Sequence, residues 1–238
     1  MKRILRYLVY GYKSSSEKYI EHLKKRGVKV GDGVNIFRPA NTTIDLQNPH
    51  MLEIGDYVQI TGPVTILTHD YSWSVLKRKF GEVVGNQNNV IIGDNCFIGW
   101  GATILAGTTI GDNVIIGANS VVKGKLDADS VYAGNPAKKI MTLEEFYIKR
   151  KNKQENEAIN YINRFINTYK KEPTADDLNE YFFLFSNKID DNNKRTINQI
   201  KCMGNEKFTK KILEKNTPKY SSFEELLIKA KVRGKNEK

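Results

Sequence analysis

From Ile92 the chain repeats itself every six residues: IGDNCF from Ile92, IGWGAT from Ile98, ILAGTT from Ile104, IGDNVI from Ile110, IGANSV from Ile116 and VKGKLD from Val122. Each sextet opens on Ile or Val, four carry Gly second, and the fifth place is mostly small (Cys96, Ala102, Thr108, Val114, Ser120, Leu126). The same phase runs upstream in VGDGVN from Val30, IFRPAN from Ile36, IGDYVQ from Ile54, ITGPVT from Ile60 and ILTHDY from Ile66. A period of six is neither the strand period of two nor the helix period of 3.6. It describes a strand of about three residues, then a turn, with one aliphatic side chain turned inward per sextet. Three sextets close one triangular coil, and only stacked coils bury the Ile/Val column. The Gly and Asn/Asp residues are expected at the corners, where positive φ or tight turn chemistry is needed. Asn48 breaks the series, which predicts a loop near residues 45–51. The 26-residue step from Ile66 to Ile92 is no multiple of six, so residues 72–89 are expected to be an inserted loop.

Composition narrows the rest. At 238 residues, with 39% hydrophobic and 27% charged, the chain is neither disordered nor collagen-like in make-up. No apolar run approaches the ~18 residues that cross a bilayer. The N-terminal apolar stretch Leu8-Val9-Tyr10 is too short for a secretory signal, and Cys96 and Cys202 cannot build a disulfide framework, so a cytoplasmic home is expected. A net charge of +11 favours an anionic partner. The excess is spread along the chain, however, and no binding motif accompanies it, so nucleic acid is not expected.

Both flanks lose the hexad. Residues 1–27 read as a helix, with Ile4, Leu8 and Tyr12 at helical spacing and Gly27 as its stop. It is expected to pack on the first coil as a lid rather than to rest on an anionic bilayer, although peripheral membrane contact remains open. Residues 28–140 form the β domain. Residues 141–238 read as a helical extension of four or so helices, with starts at Thr142/Glu145, Thr174/Asp177 and Ser222/Glu225. Its end, Lys235–Lys238, is expected to be disordered.

The hexads, together with the closing stretch YAGNPAKKI from Tyr132 and the segment ILTHDYS from Ile66, resemble the hexapeptide-repeat acyltransferases, in the branch of sugar O-acetyltransferases and xenobiotic acetyltransferases. The resemblance covers about residues 28–140. It implies a mainly β fold, a left-handed parallel β-helix, and a homotrimer with acetyl-CoA lying between adjacent prisms. It places the catalytic histidine on His69. On the acetyl-CoA surface it places Phe97, Trp100, Ala118, Asn135 and Lys138, with Lys123 one position away from the family's lysine. Met141 stands where a second basic residue is common.

His69 holds the fourth place of its sextet, so its ring is expected to face outward from the aliphatic column. A neutral imidazole can take the proton of a sugar hydroxyl as that oxygen attacks a thioester. Asp70 either orients the imidazole or caps the turn into the insertion. Cys96, at a small fifth position, reads as core packing, which predicts direct transfer without an acyl-enzyme. In the insertion, Trp73 and Lys77 belong either to an acceptor lid or to a solvated loop with one packed Trp. The expected activity is acetyl-CoA-dependent O-acetyl transfer to a sugar or polysaccharide precursor, without a metal. Transfer to an amino sugar or antibiotic-like amine is the second reading, and a non-catalytic scaffold the third. A zinc carbonic anhydrase of hexapeptide type is disfavoured, because one of the three histidines, His22, lies outside the repeat.

Overall fold

A computed structural model describes residues 2–189 and 193–236, and the chain divides into two compact units, Met1–Phe146 and Tyr147–Lys238. In the first unit the hexads wind into coils of three short strands. The first coil is β1 (Lys29–Val30), β2 (Asn35–Ile36) and β3 (Thr43–Ile44); the second is β4 (Leu52–Ile54), β5 (Gln59–Ile60) and β6 (Thr65–Ile66). The third is β7 (Val90–Ile92), β8 (Phe97–Ile98) and β9 (Thr103–Ile104), and the fourth β10 (Thr108–Ile110), β11 (Ile115–Ile116) and β12 (Val121–Val122). Then come β13 (Lys125–Leu126), β14 (Ser130–Ala133) and β15 (Lys138–Thr142). Stacking makes three parallel walls, β1-β4-β7-β10-β13, β2-β5-β8-β11-β14 and β3-β6-β9-β12, and β15 folds back antiparallel on β14.

The register explains the repeat. Ile54, Ile92 and Ile110 lie in one column, Ile60, Ile98 and Ile116 in a second, and Ile66, Ile104 and Val122 in a third, all at most 2% exposed. Each buried side chain contributes about 1.5–3 kcal/mol, which no isolated coil would capture.

Gly and Asn take the positive-φ corners as expected, Gly101, Gly107 and Asn119 among them, but the second-position glycines answer to something else. At the first corner, positive φ falls on the fourth residue of the sextet: Gly33, Tyr57, Asn95 and Asn113, at 53–67°. The second-position glycines are there for close approach. A Cβ on Gly93 would lie 2.4 Å from Asp112 Oδ1, and one on Gly55 2.3 Å from Asp94 Oδ1. Those carboxylates accept the backbone N–H of the Asp one coil earlier: Asp56 N to Asp94 Oδ1 and Asp94 N to Asp112 Oδ1, both 2.8 Å. Ile-Gly-Asp is therefore one device, in which the glycine leaves room for the carboxylate that arrives from the next coil to cap its own.

The N-terminal segment is two helices, not one. α1 (Lys2–Tyr10) is followed by a 3-10 turn over Gly11–Ser14, and Ser15 caps α2 (Ser16–Lys25). Gly27, at φ 99°, ends α2. The lid role belongs to α2, whose Tyr19 and Leu23 are fully buried against Val28, Val30 and Ile36. Leu8 stays 75% exposed and Tyr12 41%, the latter stacked on His22 at 3.8 Å.

The insertion after β6 contains α3 (Trp73–Phe80). α4 (Leu143–Tyr169) opens with a reciprocal box: Glu145 Oε2 accepts from Thr142 N, and Glu145 N donates to Thr142 Oγ1. In the second unit it is followed by α5 (Lys194–Lys201), α6 (Glu206–Glu214) and α7 (Phe223–Asn236). The Thr174/Asp177 box forms but starts only a 3-10 turn, Ala175–Leu178. Ala158, Ile159 and Ile162 of α4 pack with Leu226, Leu227 and Ala230 of α7. Of the tail expected to be disordered, α7 includes the backbone to Asn236, and residues 237–238 lie outside the described residues. Among the described residues no helix is long and apolar enough to cross a membrane.

Candidate active site

β3 pairs with β6 so that Ile44 lies beside Ile66. The chain then leaves both strands at the same corner, which brings Asp45 of one coil against Thr68 and His69 of the next. Asp45 Oδ2 stands 2.5 Å from His69 Nδ1, and the same oxygen accepts the Thr68 hydroxyl at 2.6 Å and the Thr68 N–H at 3.1 Å. Its other oxygen accepts Gln47 N–H at 2.9 Å. Burial alone would raise the Asp45 pKa, but the bonds from Thr68, Gln47 and His69 together hold it below the ordinary carboxylate range. An ionised Asp45 is an acceptor only, so a neutral His69 on this bond carries its proton on Nδ1 and its lone pair on Nε2. The two side chains keep 8% and 17% of their surface in solvent.

Asp70 is not the partner of the imidazole. It accepts from Ser72 N at 2.9 Å and Asn86 Nδ2 at 2.5 Å, pinning the neck of the insertion. Bonds from Ser72 and Asn86, with the charge of Lys123, lower its pKa. Of the two roles open to Asp70, the structure therefore supplies the turn cap. The neck is completed by Asn88 N to Thr68 O and by a bridge between His69 and Gln87. Just beyond it, the Tyr71 and His69 rings meet at a steep angle with their centroids 6.2 Å apart, and the Trp73 ring lies 5.2 Å from that of Tyr71. Trp73 is half-buried, while Lys77 and the rest of the basic run, Arg78 and Lys79, are exposed. Asp45 and Tyr71 were not singled out in the sequence. The available signal was the stacking itself: Asp45 directly follows the strand one coil before the histidine.

The other expected residues fall along two edges of the β3-β6-β9-β12 wall. His69 and Lys123 belong to the corners that leave this wall. Trp100 and Ala118 belong to the corners that enter it, and they are stacked: Gly101 N donates to Pro63 O and Asn119 N to Trp100 O, both at 2.7 Å. Asn135 continues this column, because Val121 N donates to Gly134 O at 3.0 Å. Phe97, 40% exposed, precedes this edge on β8, and the exposed Lys138 opens β15. The ring of Trp100 lies under the Arg38 guanidinium at 4.8 Å. The third edge carries the Asp56, Asp94 and Asp112 ladder and so repels an anionic ligand. One chain thus keeps the His69 edge and the Trp100 edge apart, on either side of one wall.

Cys96 is buried, with its Sγ directed at Gly111 O at 3.2 Å, and burial pushes its pKa up to about 11. At neutral pH it is a protonated thiol in the core. Among the described residues no group of three His, Cys, Asp or Glu side chains is arranged to hold a metal ion.

Comparison with known proteins settles the family. Residues 89–123 match the family described as the hexapeptide repeat of succinyl-transferase. The chain is similar to protein CapG of Staphylococcus aureus, at 34% identity, over 54% of this chain and 74% of CapG. The chain belongs to the hexapeptide-repeat acyltransferase family. Its prism is the left-handed parallel β-helix of these acyltransferases, an exception to the usual right-handed crossover. Among other members, it is 32% identical to the galactoside O-acetyltransferase of Escherichia coli (strain K12), over 50% of this chain and 57% of that one. A solved maltose O-acetyltransferase from Clostridium difficile 630 aligns at 28% identity and a TM-score of 0.38, over 53% of this chain and 75% of that one. The chain therefore spans little more than half the length of the Escherichia coli relative.

Proposed function

We propose that this acyltransferase moves an acetyl group from acetyl-CoA to a hydroxyl of a sugar unit in a glycan or glycan precursor. The observation that carries the reading is the Asp45–His69 pair at the root of the basic, aromatic insertion. His69 Nε2 takes the hydroxyl proton as the acceptor oxygen attacks the thioester carbonyl. The C–O bond forms, the C–S bond breaks, and the proton passes from Nε2 to the departing CoA sulfur. Asp45 keeps the tautomer fixed and offsets the charge of the transient imidazolium. Such a base matters most for a hydroxyl, which is a far weaker nucleophile than a neutral amine; this favours O- over N-transfer. The name of the galactoside relative points to the same acceptor class.

In this reading Phe97, Trp100, Ala118, Asn135 and Lys138 hold the CoA along one edge, while Lys123 and His69 meet the thioester along the other. A neighbouring copy brings the two edges together, which makes the working form the expected homotrimer. Trp73 and Lys77 contact the acceptor, a ring against the sugar face and a cation against any phosphate. The two unpaired cysteines fit a cytoplasmic enzyme. The proposed domain limits remain 1–27, 28–140 and 141–238.

The test is thiol release from acetyl-CoA across sugars, nucleotide sugars and lipid-linked oligosaccharides, with amino sugars in parallel. Hydroxyl acceptors are expected to release thiol, and Cys96→Ala to turn over like the unaltered protein. Release with amines alone would replace the O-transfer reading by N-transfer, and a folded but inactive Cys96→Ala would replace direct transfer by an acyl-enzyme.

A further inference from the structure

The segment before α2 is held at its root, and beyond it the described apolar side chains of α1 are exposed. At the root, Lys13 Nζ donates to Thr42 O at 2.8 Å and Ser14 is buried. Beyond it, α1 turns Leu5, Leu8 and Val9 to one face by their i, i+3, i+4 spacing, and all three are 64–75% exposed. Tyr7 and Tyr10, about half exposed, lie on the remaining arc with Arg6. The Lys18 ammonium rests 3.7 Å from the Tyr7 ring centroid, which adds a charge beside the helix. From Met1 to Ser16 the sequence has four cations, Lys2, Arg3, Arg6 and Lys13, and no acid.

We infer that α1 is an interfacial anchor for a bilayer surface carrying anionic lipid. An apolar face flanked by tyrosines and basic side chains matches such a surface in both respects: acyl chains take the leucines and valine, and anionic headgroups meet the cations. A second copy of this segment is the poorer occupant, because a self-pairing contact would set its four cations, with no acid among residues 1–16, against the same four cations. Leu8, expected from its spacing to pack on the first coil, is free for this role because Tyr19 and Leu23 of α2 already close that end. The inference stands independently of the acyl-transfer reading.

Flotation of the full chain with vesicles tests it. Phosphatidylcholine vesicles containing phosphatidylglycerol are expected to carry the protein, phosphatidylcholine alone to leave it free, and added salt to weaken the association. The double variant Leu5→Glu/Leu8→Glu is expected to lower the bound fraction at least about tenfold. It alters only solvent-facing side chains, so its thermal melt is expected to match the parent. Absence of binding to the anionic vesicles would overturn the inference. Equal binding to neutral vesicles, or binding that the double variant leaves unchanged, would do the same. So would a double variant that loses its oligomeric state while neither form binds vesicles, because a second copy would then be the occupant.

Discussion

Replacing His69 with alanine is expected to lower kcat for acetyl transfer by about 10³-fold, within the range that a positioned general base supplies. The KM for acetyl-CoA should change by no more than about twofold, because His69 is not among the residues proposed to hold the CoA and a lost base acts in the transition state alone. Folding should survive: removing the ring leaves Asp45 with three further hydrogen bonds, from the Thr68 hydroxyl, the Thr68 N–H and the Gln47 N–H. The measurement is steady-state thiol release beside a thermal melt. An unchanged melt with turnover within about tenfold of the parent would remove His69 from the chemistry and favour an architectural role for the prism.

The largest expected effect on stability is at the middle of the second column. Ile98 is fully buried, with Ile60 and Ile116 paired on either side of it. The walls cannot close over a missing side chain, because the coils are tied to each other through the backbone: Thr61 N donates to Ile98 O at 3.0 Å and Gly99 N to Ile116 O at 2.9 Å. Nor can the corner move inward, since a Cβ on Gly99 would already lie 2.6 Å from Ile116 O. Ile98→Ala should therefore leave a cavity and cost about 2–5 kcal/mol in urea unfolding. Phe97→Ala, one residue away but 40% exposed, should cost far less. Equal losses from the two would mean that the inward column is not what holds the prism.

The prism was legible because each sextet repeats the same physical demand, one aliphatic side chain inward and one tight corner. The reason for its second-position glycines was not. A linear reading assigns Gly to positive φ, whereas Gly55 and Gly93 answer to a carboxylate arriving from the next coil, which appears only once the coils are stacked. His69 was singled out from its own segment. Asp45 lies 24 residues earlier, at the point where the hexad breaks, so the pairing of Ile44 with Ile66 was needed to bring it to the imidazole. Asp70, adjacent in sequence, was the natural local candidate, but the insertion draws it outward to Ser72 and Asn86. In the N-terminal segment, spacing alone could not say which of two helices would take the end of the prism. Tyr19 and Leu23 occupy that surface, and α1 is left facing solvent.

The most direct measurement is the 15N spectrum of His69 across its titration, because it reads the pair without requiring that the acceptor be known. In the neutral form the account predicts a protonated, pyrrole-type Nδ1 facing Asp45 and an unprotonated, pyridine-type Nε2, with the Nε2–H tautomer gaining population in Asp45→Asn. A neutral His69 that carries its proton on Nε2 in the unaltered protein would contradict it, since that ring would have no lone pair to offer an acceptor hydroxyl.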